Sequence, residues 1–143
     1  MLNELPPVFS RGEIREVNGE PVEFILVQNP ISMQLNLDNL VGNPEQVFFA
    51  IGRDVHDPSW MWTVDYSNLS HATIVSGFNY ADAALVLRYQ GIPVETVEKD
   101  YFKAIDSFFQ LPKPTSGMKT VIYSADAMRR LRRYKGFTDP EDV

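Results

Sequence analysis

Short apolar runs alternate with helix-like spacing over most of the chain, and this alternation limits the fold more than any other feature. QVFFAI (46–51) and HATIVSG (71–77) are continuous apolar runs of strand length, the pattern of strands buried on both faces. VETV (94–97) is a shorter strand, and KTVIYS (119–124) is another apolar one. Between them, YADAALVLRYQ (80–90) sets Tyr80, Ala84 and Leu87 on one helical face and is ended by Gly91 and Pro93. DYFKAIDSFFQL (100–111) reads as a helix capped by Asp100. ADAMRRLRRYKG (125–136) reads as the last helix, closed by Gly136. Strands alternating with helices in this way predict a mainly parallel sheet with helices on both faces.

A hairpin precedes that pattern. EIREV (13–17) and PVEFILVQ (21–28) flank Asn18-Gly19, two residues that tolerate the positive φ of a tight turn. Asn29-Pro30 then breaks the strand. A short helix follows in ISMQLNLDNLV, with Ile31, Leu35, Leu37, Leu40 and Val41 as its apolar set and Gly42 and Pro44 as its stop. The expected fold is α/β: a Rossmann-like three-layer domain with a mainly parallel sheet, preceded by an N-terminal β-hairpin. Residues 1–143 form one domain with its core at 8–133 and an acidic tail at 137–143.

Charge and composition remove several function classes. Nineteen Asp and Glu against thirteen Lys and Arg leave a formal net charge of −6, which argues against a general phosphate-backbone binder, so no nucleic-acid partner is expected. The one basic block, RRLRRYK (129–135), is a local anion patch or a solvated helix end whose cations complement the helix dipole. With no cysteine, disulfides, thiolate nucleophiles and cysteine-bound zinc are out. No apolar run approaches the roughly 20 residues of a membrane helix, so no membrane insertion is expected. The start, MLNELPPVFSRGE, lacks the basic and apolar regions of a signal peptide, and a cytoplasmic location is the simplest expectation.

Chemistry concentrates in GRDVHDPSWMW (52–62), directly after the first core strand, and Ser76-Gly77-Phe78-Asn79 follows the next. Loops at the carboxyl ends of strands are where such sheets place functional groups. Neither a phosphate-binding glycine motif nor a Gly-x-Ser-x-Gly elbow is present. Asp54, His56 and Asp57 offer oxygen and imidazole ligands for a divalent metal. Asp57-Pro58-Ser59-Trp60 equally reads as a helix start, with aspartate as N-cap and proline at the first position.

In order, RGE, NGEPVEFILVQNP, DVHDPSWMWTVDY, SGFNYADAALVLRYQGI and VIYSADAMRRL resemble the C-terminal domain of the MurT family, from about residue 8 to 133. MurT is the Mur-ligase-like subunit of lipid II isoglutaminyl synthase. The Asp-x-Ser-Trp-x-Trp element at 57–62 is the most specific part. The resemblance implies a Mur ligase C-terminal-like domain that docks a GatD-like glutamine amidotransferase subunit. It also implies an aspartate supplied to that partner's Cys-His site, with Asp57 as first choice and Asp54 as second. Such an acid fixes a histidine's tautomer and stabilises its protonated form. His56, Trp60, Trp62 and Asn79 are the expected interface residues. ATP and magnesium belong to the central ligase domain, in cis or in trans, so no cofactor is expected in this chain and the chain alone is not expected to amidate.

Four positions depart from the family's pattern. Gln28 replaces a lysine, Val55 a glycine, Asn79 an arginine and Thr63 an acid, although Asp65 follows. Two cations suited to anionic groups are gone, and valine disfavours a positive-φ turn at 55. The alternatives are an interaction module that keeps only the fold and a small metal-dependent enzyme built on Asp54, His56 and Asp57.

Overall fold

In the computed structural model, which describes residues 12–40, 44–115 and 117–136, Asn18 and Gly19 adopt φ of 53° and 84°. The turn they make pairs β1 (Gly12–Val17) antiparallel with β2 (Glu20–Leu26). Then follow α1 (Pro30–Asp38), β3 (Val47–Ala50), a 3₁₀ segment (Pro58–Thr63), β4 (Ala72–Ser76), α2 (Tyr80–Tyr89), β5 (Val94–Val97), α3 (Tyr101–Phe109), β6 (Lys119–Tyr123) and α4 (Ala125–Lys135). The six strands form one sheet in the order β1-β2-β6-β3-β4-β5. Every pairing beyond the hairpin is parallel.

Each central strand divides its side chains between two cores, as the two-residue period of a strand requires. Val47, Phe49 and Ile51 pack with Met33 and Leu37 of α1, Met61 of the 3₁₀ segment, and Ala83 and Leu87 of α2. Phe48 and Ala50 face the opposite way, toward Ile105 and Phe108 of α3 and Ala127 and Leu131 of α4. Phe48 is fully buried with its ring 5.3 Å from that of Phe108. The architecture is the expected three-layer α/β domain, with the hairpin extending one edge of the sheet.

Two details of the first helix differ from the sequence reading. Ile31 and Leu35 are exposed rather than core, while Met33, Asn36 and Leu37 are buried. The reason is the start: Asn29 and Ser32 form a reciprocal capping box, with Ser32 N–H donating to Asn29 Oδ1 at 2.8 Å. That box fixes the rotation of a nine-residue helix whose apolar residues lie on all sides. The helix also ends at Asn39, which closes it by backbone hydrogen bonds, before Pro44. Val41, Gly42 and the 137–143 tail lie outside the described residues.

Chain direction decides where a crevice opens. The chain leaves β3 toward the α1/α2 layer and leaves β6 into α4 on the other side, yet β3 and β6 are neighbours. Adjacent strands whose exits diverge mark the switch point of such a sheet. The 52–57 loop and residues 124–127 meet there.

Candidate functional site

Asp54 spans this switch point. Its Oδ1 accepts from Ser124 Oγ at 2.8 Å and Asp126 N–H at 3.0 Å, and its Oδ2 accepts from Ala125 N–H at 3.1 Å. Ser124, the N-cap residue of α4, makes no cap of its own. A carboxylate 70 residues earlier in sequence therefore caps the helix. It satisfies two orphan N–H groups and sits at the positive end of the helix dipole. Ser124 Oγ also accepts from Gly52 N–H at 2.7 Å, and Asp126 Oδ2 accepts from Arg53 N–H at 3.2 Å. A Cβ on Gly52 would lie 2.8 Å from Asp126 Oδ2, so only glycine lets the loop lie this close to the helix.

Asp57 faces outward. Its Oδ1 accepts from Ser59 N–H at 3.1 Å and from Ser59 Oγ at 2.6 Å, capping the 3₁₀ segment with Pro58 just inside. Its Oδ2 accepts no hydrogen bond among the described residues. The Ser59 hydroxyl, and then the Ser59 amide, hold the carboxyl below its usual range. Asp57 is thus an exposed, ionised acid with one oxygen anchored and the other available.

The remaining sequence candidates divide between surface and interior. His56 is exposed on the same loop. Trp60 is half-buried against the α1/α2 core, whereas Trp62 is 39% exposed with its ring edge-on to Tyr89, 5.3 Å away. Asn79 points inward, its side-chain amide donating to Gly52 O at 2.9 Å and Val55 O at 3.0 Å. Val55 lies outside the positive-φ region and is buried in the core. The two departures at 55 and 79 thus support one another: valine fills the space beneath the loop, and asparagine holds the valine's carbonyl. Thr63 donates to Trp60 O at 2.7 Å, and Asp65 accepts from Ser67 N–H at 2.9 Å. Gln28 is exposed.

Asp54, His56 and Asp57 do not converge on a point. Asp54 turns in to α4 while the other two face solvent, and no group of three or more His, Asp or Glu suited to a metal occurs among the described residues. The sequence reading overlooked a cleft of about 590 Å³ beside the switch point, lined in part by Arg53, Phe78, Lys99, Tyr101 and Arg130. Its signal was present, since Arg53, Phe78 and Lys99 each stand within three residues after a parallel strand. Gly77 forms part of its wall at φ of 92°, where an added Cβ would meet Ile51 O at 2.6 Å.

A mainly parallel sheet between two helical layers, with an acid-bearing loop at the carboxyl end of β3, defines a Rossmann-like three-layer α/β domain. The family model described as MurT ligase C-terminal matches residues 26–125, and the chain belongs to that family. The match runs from the end of β2 to the start of α4 and includes both aspartates. A comparison with curated proteins gives no match. No helix among the described residues is long and apolar enough to cross a membrane.

Proposed function

We propose that this domain docks a GatD-like glutamine amidotransferase and that Asp57 completes the partner's Cys-His site. The assembly would amidate the D-glutamate of the peptidoglycan precursor lipid II. The observation that carries the reading is the state of Asp57: exposed, ionised, anchored through one oxygen, with the second oxygen open to a donor from another molecule. A histidine N–H meeting that oxygen would be fixed in one tautomer and stabilised when protonated as its cysteine loses a proton. Anchoring by Ser59 matters because an acid acting across an interface must be held before the partner arrives.

Asp54 has a different task in this scheme. All three of its hydrogen bonds go to the start of α4, so it positions the loop that carries Asp57. His56 beside Asp57 and the exposed Trp62–Tyr89 pair supply polar and aromatic contact area of the kind enriched at interface centres. ATP and magnesium act in the central ligase domain, and no step here runs through them. The neutral residues at 28 and 79 favour a second reading, a docking module that has kept the fold without the acid's role.

The two readings separate in one experiment. The domain is mixed with the glutaminase subunit, and binding and glutamine hydrolysis are measured with wild type and Asp57→Ala. The first reading predicts unchanged docking and lost hydrolysis. Docking with hydrolysis unaffected by the substitution establishes the second, and absence of docking overturns both.

A further inference from the structure

Beyond the docking surface, and independently of it, a basic groove runs along α4. The cleft beside the switch point and a second hollow of about 400 Å³ share Arg130 and Asp126. Arg53 and Lys99 line the first, and Arg129 and Arg133 line the second. With Arg130 these are five cations, against two lining carboxylates, Asp100 and Asp126. The surplus of three positive charges stands on a chain whose formal net charge is −6.

Of these cations only Arg130 is paired with a carboxylate among the described residues. Arg130 uses only its Nε, on Asp126 at 3.1 Å, leaving its terminal nitrogens without partners among the described residues. Lys99, Arg129 and Arg133 have no carboxylate partner among those residues. The Arg53 guanidinium lies over the Phe78 ring, 4.9 Å from its centroid, which orders the side chain without neutralising it. Exposed aromatic faces flank both hollows: Phe78 in the first, and the Phe102–Tyr134 pair, 4.6 Å apart, in the second.

We propose that this groove binds a diphosphate group. A single carboxylate would leave most of the charge uncompensated, whereas a diphosphate carries about the charge that is in surplus. Guanidinium forks match phosphate oxygens in pairs. Arg130 lines both hollows and is the cation they share. The amino end of α4 is not the site, because Asp54 already occupies it. The basic block at 129–135 thereby has a use beyond complementing its own helix dipole. The diphosphate's source is either a soluble molecule or a lipid headgroup.

The test is calorimetric titration of the whole chain with inorganic diphosphate at low salt, with sulfate as the comparison. Diphosphate is expected to bind at least tenfold more tightly than sulfate. Arg53→Gln and the double variant Arg129→Gln/Arg133→Gln are each expected to weaken it by about tenfold or more, at unchanged melting temperature. The side chains of Arg129 and Arg133 are exposed and make no hydrogen bond among the described residues, so the double variant keeps the fold out of the comparison. Competition by ADP identifies a soluble source. Capture by phosphatidylcholine vesicles doped with a lipid diphosphate, but not by plain ones, identifies a lipid-borne source. Diphosphate binding no tighter than sulfate, or binding within twofold of wild type in both variants, overturns the proposal.

Discussion

Replacing Asp54 with alanine removes three of the hydrogen bonds that join the β3 loop to the start of α4, and its cost follows from the geometry. Loss of an ordinary N-cap costs about 1 kcal/mol. Here a carboxylate serves three donors at 2.8–3.1 Å, and each charge-assisted bond is worth roughly 1.5 kcal/mol or more. Water can reach the half-buried junction and recover part of that loss. The expected destabilisation is therefore about 2–3 kcal/mol. For 143 residues the unfolding entropy is on the order of 0.3 kcal/mol/K, so the melting temperature should fall by about 7–10 °C. Asp54→Asn keeps an acceptor but loses the charge, and should fall between. Asp57→Ala, at an exposed local cap, should lower the melting temperature by no more than about 3 °C. Urea and thermal melts of the three variants provide the assay. If Asp54→Ala melts within 2 °C of Asp57→Ala, the cap does not hold the loop and the assignment of the two acids' roles is refuted.

Lys119, fully buried in β6, donates to Glu20 Oε2 at 2.8 Å and to Leu111 O at 3.0 Å. Lys119→Met is expected to cost about 3 kcal/mol or more in urea melts by leaving Glu20 uncompensated, and adding Glu20→Met should recover much of it. Gly77→Ala combines a positive φ with a Cβ 2.6 Å from Ile51 O, and should destabilise by at least about 2 kcal/mol. Burial pushes the Glu23 carboxyl above its usual range. Its contribution to stability is thus present below the unfolded-state pKa and is lost as pH rises through the folded one. Glu23→Gln should accordingly raise the melting temperature at neutral pH, and the gain should vanish in acid below the usual glutamate range.

The strands were legible because burial on both faces leaves a mark that local sequence carries alone, as in Val47–Ala50, where all four residues are buried. The Asp57 cap was legible for the same reason, since its partner is two residues away. The Asp54 cap was not. It joins residues 70 apart and exists only because β6 inserts beside β3, an order that no periodicity encodes. The buried face of α1 was not legible because that helix is apolar on several sides, and its rotation is set by the Asn29–Ser32 box. Asn79 looked like an interface residue while its neighbours were unknown. Two carbonyls from the 52–55 loop turn it inward. The basic groove escaped notice because its cations come from three separate segments, brought together by the switch point.

What most depends on these relations is a carboxylate held by Ser59 with its free oxygen turned to another molecule's imidazole. The decisive measurement is glutamine hydrolysis by the partner subunit saturated with wild-type domain, Asp57→Asn, or Asp57→Asn supplemented with wild type. Asparagine preserves the shape and removes the charge that orients and stabilises the histidine. Hydrolysis is expected to fall by at least about a hundredfold at undiminished docking affinity, as loss of a histidine-orienting acid does in related triads. Hydrolysis within a few-fold of wild type at saturating Asp57→Asn would contradict the account.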